Sequence, residues 1–173
     1  MTPAPAIRPV PPGSPPADAI VRAYLADVAS RYYGRPATPD EVDQVLRDEP
    51  YADLQGDTGV FLVAVRGDAV QGDRAVACAG ARFGAGVAEL TKVFTLPSHR
   101  GQGLGRRLVR HVETLCRERG IGAVRLDTRS DLGEACALYE SLGYERVAPF
   151  NDEPYSDRWY RTRLGPGPGH AAG

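Results

Sequence analysis

The sequence predicts a single mixed α/β domain. Its sheet is antiparallel in the first half and built from strand–helix–strand units in the second. Three observations lead there. A length of 173 residues suits one domain. Three apolar runs between residues 60 and 95 are separated only by glycine-rich, hairpin-sized links. After residue 100 the apolar period changes from that of strands to that of helices, and the two then alternate.

The elements follow in order. Ala6–Val10 is short and extended, and Pro9, Pro11 and Pro12 restrict it to an edge strand. A Pro/Gly/Ser loop runs on to Pro16. Ile20, Val21, Tyr24, Leu25, Val28 and Tyr32 recur at helical spacing, with Gly34 as the stop. Thr38-Pro39-Asp40-Glu41 opens a second helix: Thr38 caps, Pro39 fits the first helical position and Glu41 completes a capping box. Val42, Val45 and Leu46 give it a short apolar face. Val60–Val65, bounded by Gly59 and Gly67, is the first long strand. Ala75–Phe83 follows a turn over Gly67–Gly72, and Val87–Thr95 follows Gly84-Ala85-Gly86. Leu104, Leu108, Val109, Val112 and Leu115 form a helical stripe that ends at Gly120. Val124–Leu126 is a strand, Ala135–Leu142 a helix closed by Gly143, and Tyr144–Val147 and Arg158–Leu164 are the last strands. The domain spans residues 1–165, and residues 166–173 read as a loose tail.

Composition excludes several classes. Charged residues make up 25% and hydrophobic ones 42%, ordinary values for a soluble globular chain. A net charge of −1 argues against a strongly basic nucleic-acid binder and against an acidic disordered chain. Lys92 is the only lysine and has no glycine five residues before it, so a GxxxxGK[ST] phosphate loop is absent. Cys78, Cys116 and Cys136 include no CxxC, and His99, His111 and His170 stand in no HxxxH relation, so no metal site is visible. The segment MTPAPAIRPV lacks a charged and an apolar region, and no apolar run approaches 18 residues. The expected setting is the reducing cytoplasm, with no membrane partner.

The stretch that carries chemistry is Val93 to Arg107. A strand ends, a glycine-rich turn follows and an amphipathic helix begins. Glycines let backbone N–H groups approach an anion, and a helix N-terminus adds unpaired donors and a positive dipole. Arg100, Arg106 and Arg107 add full charges. This is a pyrophosphate cradle in physical terms. A dinucleotide fingerprint GxGxxG would need glycine where Arg106 stands, and the strands before it look antiparallel. The plainer alternative is a glycine-rich connection with arginines on a solvated helix face.

Arg100-Gly101-Gln102-Gly103-Leu104-Gly105 resembles the R/Q-x-x-G-x-G/A signature of the GCN5-related N-acetyltransferases. The resemblance extends along the chain. Ile7-Arg8-Pro9 is similar to that family's first strand, Ala88 to Thr95 to its fourth, and Leu138-Tyr139-Glu140-Ser141-Leu142-Gly143-Tyr144 to its late-helix motif. It implies a mostly antiparallel sheet of six or seven strands with about four helices. Strands four and five would splay to admit acetyl-CoA, the acyl donor. It implies further that the backbone of Val93 and Thr95, with Phe94 between them, meets the pantetheine arm. Arg100, Gly101, Gln102, Gly103, Leu104, Gly105 and Arg106 would hold the pyrophosphate. A strand-four bulge would free the Val93 N–H to polarise the thioester carbonyl.

The reaction implied is direct acetyl transfer to a primary amine in a ternary complex. An amine with a pKa of about 10 must lose a proton before attack, so a base is needed. Glu89 stands where family members often place it; the plainer reading is a solvent-facing strand glutamate or a partner of Lys92. Tyr139 matches the family's general acid for the leaving thiolate, and the plainer reading is a half-buried core tyrosine. Cys136 lies one turn earlier and reads as a buried core thiol, because no histidine is near to activate it. His99 reads as a loop residue. The asparagine some members carry after strand five is absent from Asp127-Thr128-Arg129-Ser130-Asp131.

By the same resemblance, Tyr32-Tyr33, residues 48–53 and residues 150–159 would line the acceptor side. These pieces are acidic and aromatic, which suits a small amine-bearing metabolite or an amino-acid-like compound. A protein N-terminus or lysine as acceptor, and a catalytically silent acyl-CoA-binding module, are the alternatives. Strand-edge homodimers are common in the family, and nothing in this sequence specifies one.

Overall fold

The computed structural model describes residues 3–68 and 72–166. The elements are β1 (Ala6–Pro9), α1 (Pro15–Tyr33), α2 (Pro39–Asp48), β2 (Gly59–Asp68), β3 (Gly72–Phe83) and β4 (Val87–Thr95), then α3 (Leu104–Glu118), β5 (Ala123–Thr128), α4 (Gly133–Ser141), β6 (Glu145–Arg146) and β7 (Arg158–Arg163). The seven strands form one sheet in the order β1-β2-β3-β4-β5-β7-β6. Only β4 and β5 run parallel. Among the described residues no helix is long and apolar enough to cross a membrane.

Local chemistry accounts for the boundaries. Pro15 and Pro16 lie inside the first turn of α1, where their missing N–H groups cost nothing, so the helix starts inside the segment expected to be a loop. Gly34 caps its far end in the left-handed conformation. The capping box of α2 is present in both directions, Thr38 with Glu41. β2 and β3 pair out to Asp68 and Gly72, so that hairpin is longer and its link shorter than the Gly67–Gly72 turn expected; the link itself lies outside the described residues. β6 has two residues rather than the four of Tyr144–Val147, because Tyr144 turns into the core. Most of the expected C-terminal tail, residues 167–173, lies outside the described residues.

Helices cover both faces of the sheet. On one face, Leu104, Leu108, Val112, Tyr139 and Leu142 pack on Leu62, Ala79, Ala81, Leu90, Val124 and Leu126. On the other, Ile20, Val21, Leu25 and Val42 pack on Phe61, Val63, Cys78 and Phe94. β3 is the floor of both layers, and its small residues (Ala75, Ala77, Ala79, Gly80 and Ala81) let α1 and α3 approach it closely. Gly59 has no room for a side chain. A Cβ there would sit 2.5 Å from the Ala81 carbonyl oxygen and 2.9 Å from that of Asp53. Both are backbone atoms that cannot swing aside. Gly59→Ala is therefore expected to cost about 1–3 kcal/mol, read as a lower urea midpoint with an unchanged slope.

Candidate active site

Parallel pairing between β4 and β5 covers only Val87–Glu89 against Ala123–Arg125. Beyond it the two strands no longer pair with each other, although they run on to Thr95 and Thr128, and a gap opens in the sheet. The Leu96 N–H donates to the Val76 carbonyl. By the alternation of a β ladder, Phe94 then turns its backbone edge to β3, and Val93 and Thr95 turn theirs to the gap. The expected bulge is present. Lys92 and Val93 together face Ala79 where the β3–β4 register shifts, and Lys92 takes a φ of 54°. A lysine in that conformation costs about 1–2 kcal/mol, so surrounding contacts must hold it. One of them is the Cys78 thiol, which donates to the Lys92 carbonyl at 3.1 Å.

At the wide end of the gap lies the glycine turn. Gly101 and Gly103 have φ of 79° and 76°, which side-chain-bearing residues rarely adopt. Gly103 is the N-cap of α3, and no side chain caps this helix. Among the described residues, the backbone N–H groups of Gly101, Gln102, Gly103, Leu104, Gly105 and Arg106 have no acceptor. Such a run of convergent, uncommitted donors at a helix N-terminus is an anion nest. The Leu104 side chain itself is in the core, so its contribution to the nest is its backbone.

Two tyrosines flank the gap. Tyr24 comes from α1 on one face and Tyr139 from α4 on the other, and Tyr24 and Asp127 both raise the electrostatic cost of ionising Tyr139. Burial pushes both phenols well above their ordinary range, so both stay protonated. Tyr139 is 6% exposed, stacks on Tyr144 and Tyr160, and has no hydrogen-bond partner for its hydroxyl among the described residues. Glu89 lies at the narrow end of the gap on the α1–α2 face, the last residue of β4 to pair with β5. Its carboxylate is 3.7 Å from Arg125 Nε rather than against Lys92. Lys92 is 5% exposed, and burial lowers its pKa against the opposing pull of Glu49.

Some expected site residues stand elsewhere. Phe94 turns its edge to β3 and its ring into the α1–α2 core, 5.8 Å from the Tyr24 ring, so it lines neither gap nor nest. The Arg100 side chain folds back from the turn, because the Thr95 carbonyl (3.1 Å from Nε) and the Phe94 ring hold it there. Arg106 reaches the end of α4 and donates to Ser141 Oγ at 3.4 Å. Cys136 is buried with its thiol toward the Arg129 carbonyl, as expected of a core cysteine. His99 lies in the exposed turn before the nest.

Sequence reasoning missed Tyr24 and Asp127. Tyr24 sits in an apolar stripe and reads as core; what sets it apart is its electrostatic coupling to Tyr139 across the sheet. Asp127 lies two residues beyond Arg125 on the same face of β5. It accepts from Asn151 Nδ2 (2.9 Å) and Ser156 Oγ (2.6 Å), and Trp159 Nε1 donates to Asn151 at 2.9 Å. These bonds clamp the loop between β6 and β7 to the gap. The signal available in advance was the strand period of β5, which puts residues 125 and 127 on one side.

A family model described as "Acetyltransferase (GNAT) family" matches residues 23–144, a span that runs from α1 through β4, the nest and α4. The chain belongs to the GNAT family. It is an acyltransferase by that membership, and acetyl-CoA is the GNAT donor. An IAA acetyltransferase of Azospirillum brasilense is 33% identical over 144 residues, 82% of this chain and 86% of that protein. The uncharacterized N-acetyltransferase YjgM of Escherichia coli K12 is 34% identical over 108 residues, 62% of this chain and 59% of that protein. The GNAT fold also appears in the PaiA N-acetyltransferase of Thermoplasma acidophilum in complex with coenzyme A. That structure is 16% identical with a TM-score of 0.67, covering 91% of this chain and 99% of that one.

The three cysteines give a direct check of this packing. All are buried, and burial pushes the thiols of Cys78 and Cys116 up to about 12 and about 11. A maleimide or disulfide reagent at pH 7.5 is expected to label none of them within minutes in the folded protein and all of them in denaturant, counted by mass spectrometry.

Proposed function

We propose that this GNAT is an acetyl-CoA-dependent N-acetyltransferase that acetylates the primary amine of a small metabolite by direct transfer in a ternary complex. The observation that carries the reading is the donor nest of Gly101–Arg106 at the wide end of the β4–β5 gap. Diphosphate is the anion such a nest suits, and the gap leads from it to the tyrosine pair. In this reading Val93 and Thr95 offer their free edges to the pantetheine arm as an added strand would. Val93 N–H, freed by the bulge, polarises the thioester carbonyl. Gly101, Gln102, Gly103, Leu104, Gly105 and Arg106 hold the diphosphate by their N–H groups. Arg100 would join them only by leaving Thr95, and Phe94 is left a packing role.

Glu89 takes a proton from the ammonium of the acceptor, directly or through water. The freed amine nitrogen attacks the carbonyl carbon, the new C–N bond forms, the nitrogen gives up its second proton to solvent, and the C–S bond breaks. Tyr139 passes its proton to the departing sulfur and regains one from solvent. Its burial keeps it protonated beforehand, which an acid requires, and its lack of another hydrogen-bond partner leaves the proton available. Asp127, Glu49 and Glu153 give the acceptor half an acidic lining, and burial raises the Glu153 carboxyl. Such a lining favours a cationic amine over an anion without one.

Amine-dependent thiol release from acetyl-CoA tests the reading, with a panel of small amines and an unstructured peptide bearing a free N-terminus. Small amines are expected to be turned over and the peptide poorly. Tyr139→Phe and Glu89→Gln are each expected to lower kcat by 10²–10⁴. Because the Tyr139 pKa is raised, Tyr139 adds no alkaline limb to the wild-type pH–rate profile below pH 10. Tyr139→Phe should therefore lower the whole profile without moving its limbs. A limb near pH 9 that vanishes in the variant would contradict the assignment. Thermal stabilisation by coenzyme A without turnover of any amine would leave a binding module.

A further inference from the structure

Beside Glu89, the α1–α2 face of the sheet sets two arginines directly opposite each other. Arg125 on β5 pairs across the ladder with Glu89 on one side and Arg161 on the other. The two arginines share a face, because Val124, Leu126 and Tyr160 all point into the opposite core. Like charges placed directly opposite in a sheet repel. Arg161 has no ion pair among the described residues, and Glu89 is 3.7 Å from Arg125 Nε, beyond hydrogen-bond range. The Nε of Arg125 is buried without an acceptor. Its guanidinium lies over the Phe150 ring at 4.3 Å, and the side chain keeps 29% exposure. A planar fork fixed on an aromatic face, with its two terminal nitrogens uncommitted, is the geometry that grips a carboxylate through two parallel bonds. The plate is rigid, because the loop bearing Phe150 is held to β5 through Asn151 and Asp127. Of the carboxylates in the acceptor half, Asp127 is already engaged by Asn151 and Ser156, and Glu49 and Glu153 lie with it.

We propose that Arg125, backed by Arg161, is a carboxylate receptor in the acceptor half of the gap, so that the acceptor is an amino acid or a related amine that also bears a carboxylate. This rests on the acetyltransferase reading and narrows it. The ammonium end of such a molecule meets Glu89 and Asp127, and the carboxylate end meets Arg125. The two charges would set the amine in one orientation toward the thioester.

The test compares free amino acids with their C-terminal amides as acceptors, side chain by side chain. The wild-type protein is expected to favour the acids in kcat/KM by tenfold to a hundredfold, on the order of one charged hydrogen-bonded contact. In Arg125→Gln the acid-to-amide ratio is expected to fall to about one, and in Arg125→Lys to an intermediate value. Equal use of acids and amides by the wild type overturns the proposal. So does a variant that slows both alike at constant ratio, which would leave Arg125 as a positioning residue for Glu89. A second readout covers the case in which no amine is turned over. N-acetyl amino acids, but not their amides, should raise the melting temperature of the protein saturated with coenzyme A, and Arg125→Gln should lose that rise. A rise without turnover keeps the receptor and sinks the catalytic reading; no rise and no turnover sink both.

Discussion

The parallel ladder between β4 and β5 breaks off after Glu89, and the whole site depends on that break. A continuous sheet would seal α1 from α4. It would also use the edges of Val93 and Thr95 for strand pairing and keep Tyr24 and Tyr139 on opposite sides of a wall. The break is stable because each strand has another partner: β4 has β3, and β5 has β7 along its full length. The backbone groups left over are those a ligand can take. The bulge at Lys92–Val93 works in the same direction, since the extra residue turns β4 away from the line that β5 follows. Fold and chemistry are thus one arrangement. The opening leaves the backbone edges of Val93 and Thr95 free.

Burial on either side of the gap then assigns roles. On the α3–α4 side, tilted aromatic packing around Tyr139 buries the ring, and that burial keeps the phenol protonated. On the α1–α2 side, charged residues dominate and most are paired: Arg82 with Asp53, Ser130 with Asp157, Asp127 with Asn151 and Ser156. The exceptions are informative because so much else is satisfied. Arg125, Arg66 and the nest of Gly101–Arg106 keep open hydrogen-bonding capacity among the described residues, and of these Arg125 and the nest lie at the gap.

The legible part of the sequence was local. Caps such as Thr38 with Glu41, the period of β4 and the spacing of Gly101, Gly103 and Gly105 act over a few residues, so their outcome follows from the order of the chain. The family signature added the gap and the bulge. What escaped was set by long-range contact. Tyr24 has the same spacing as its core neighbours and differs in its electrostatic coupling to Tyr139 across the sheet. The stacking of Arg125 on Phe150 joins residues 25 apart in the chain, with a helix and a strand between them. Arg100 looked like a phosphate ligand, yet the carbonyl of Thr95 and a ring on β4 compete for it. Phe94 stands in the strand motif by sequence, while the turn of its backbone edge to β3 follows from the ladder register.

Lys92 has a further consequence for a protein that handles a reactive thioester. It is the only lysine in the chain, and it lies 5% exposed beneath the α2–β2 loop with its pKa lowered by burial. Every other basic side chain except the histidines is an arginine, whose guanidinium stays protonated and does not attack a thioester. The outer surface therefore offers its own donor no lysine amine to acylate by accident. Burial withholds the one lysine amine of the chain from the reagent it carries.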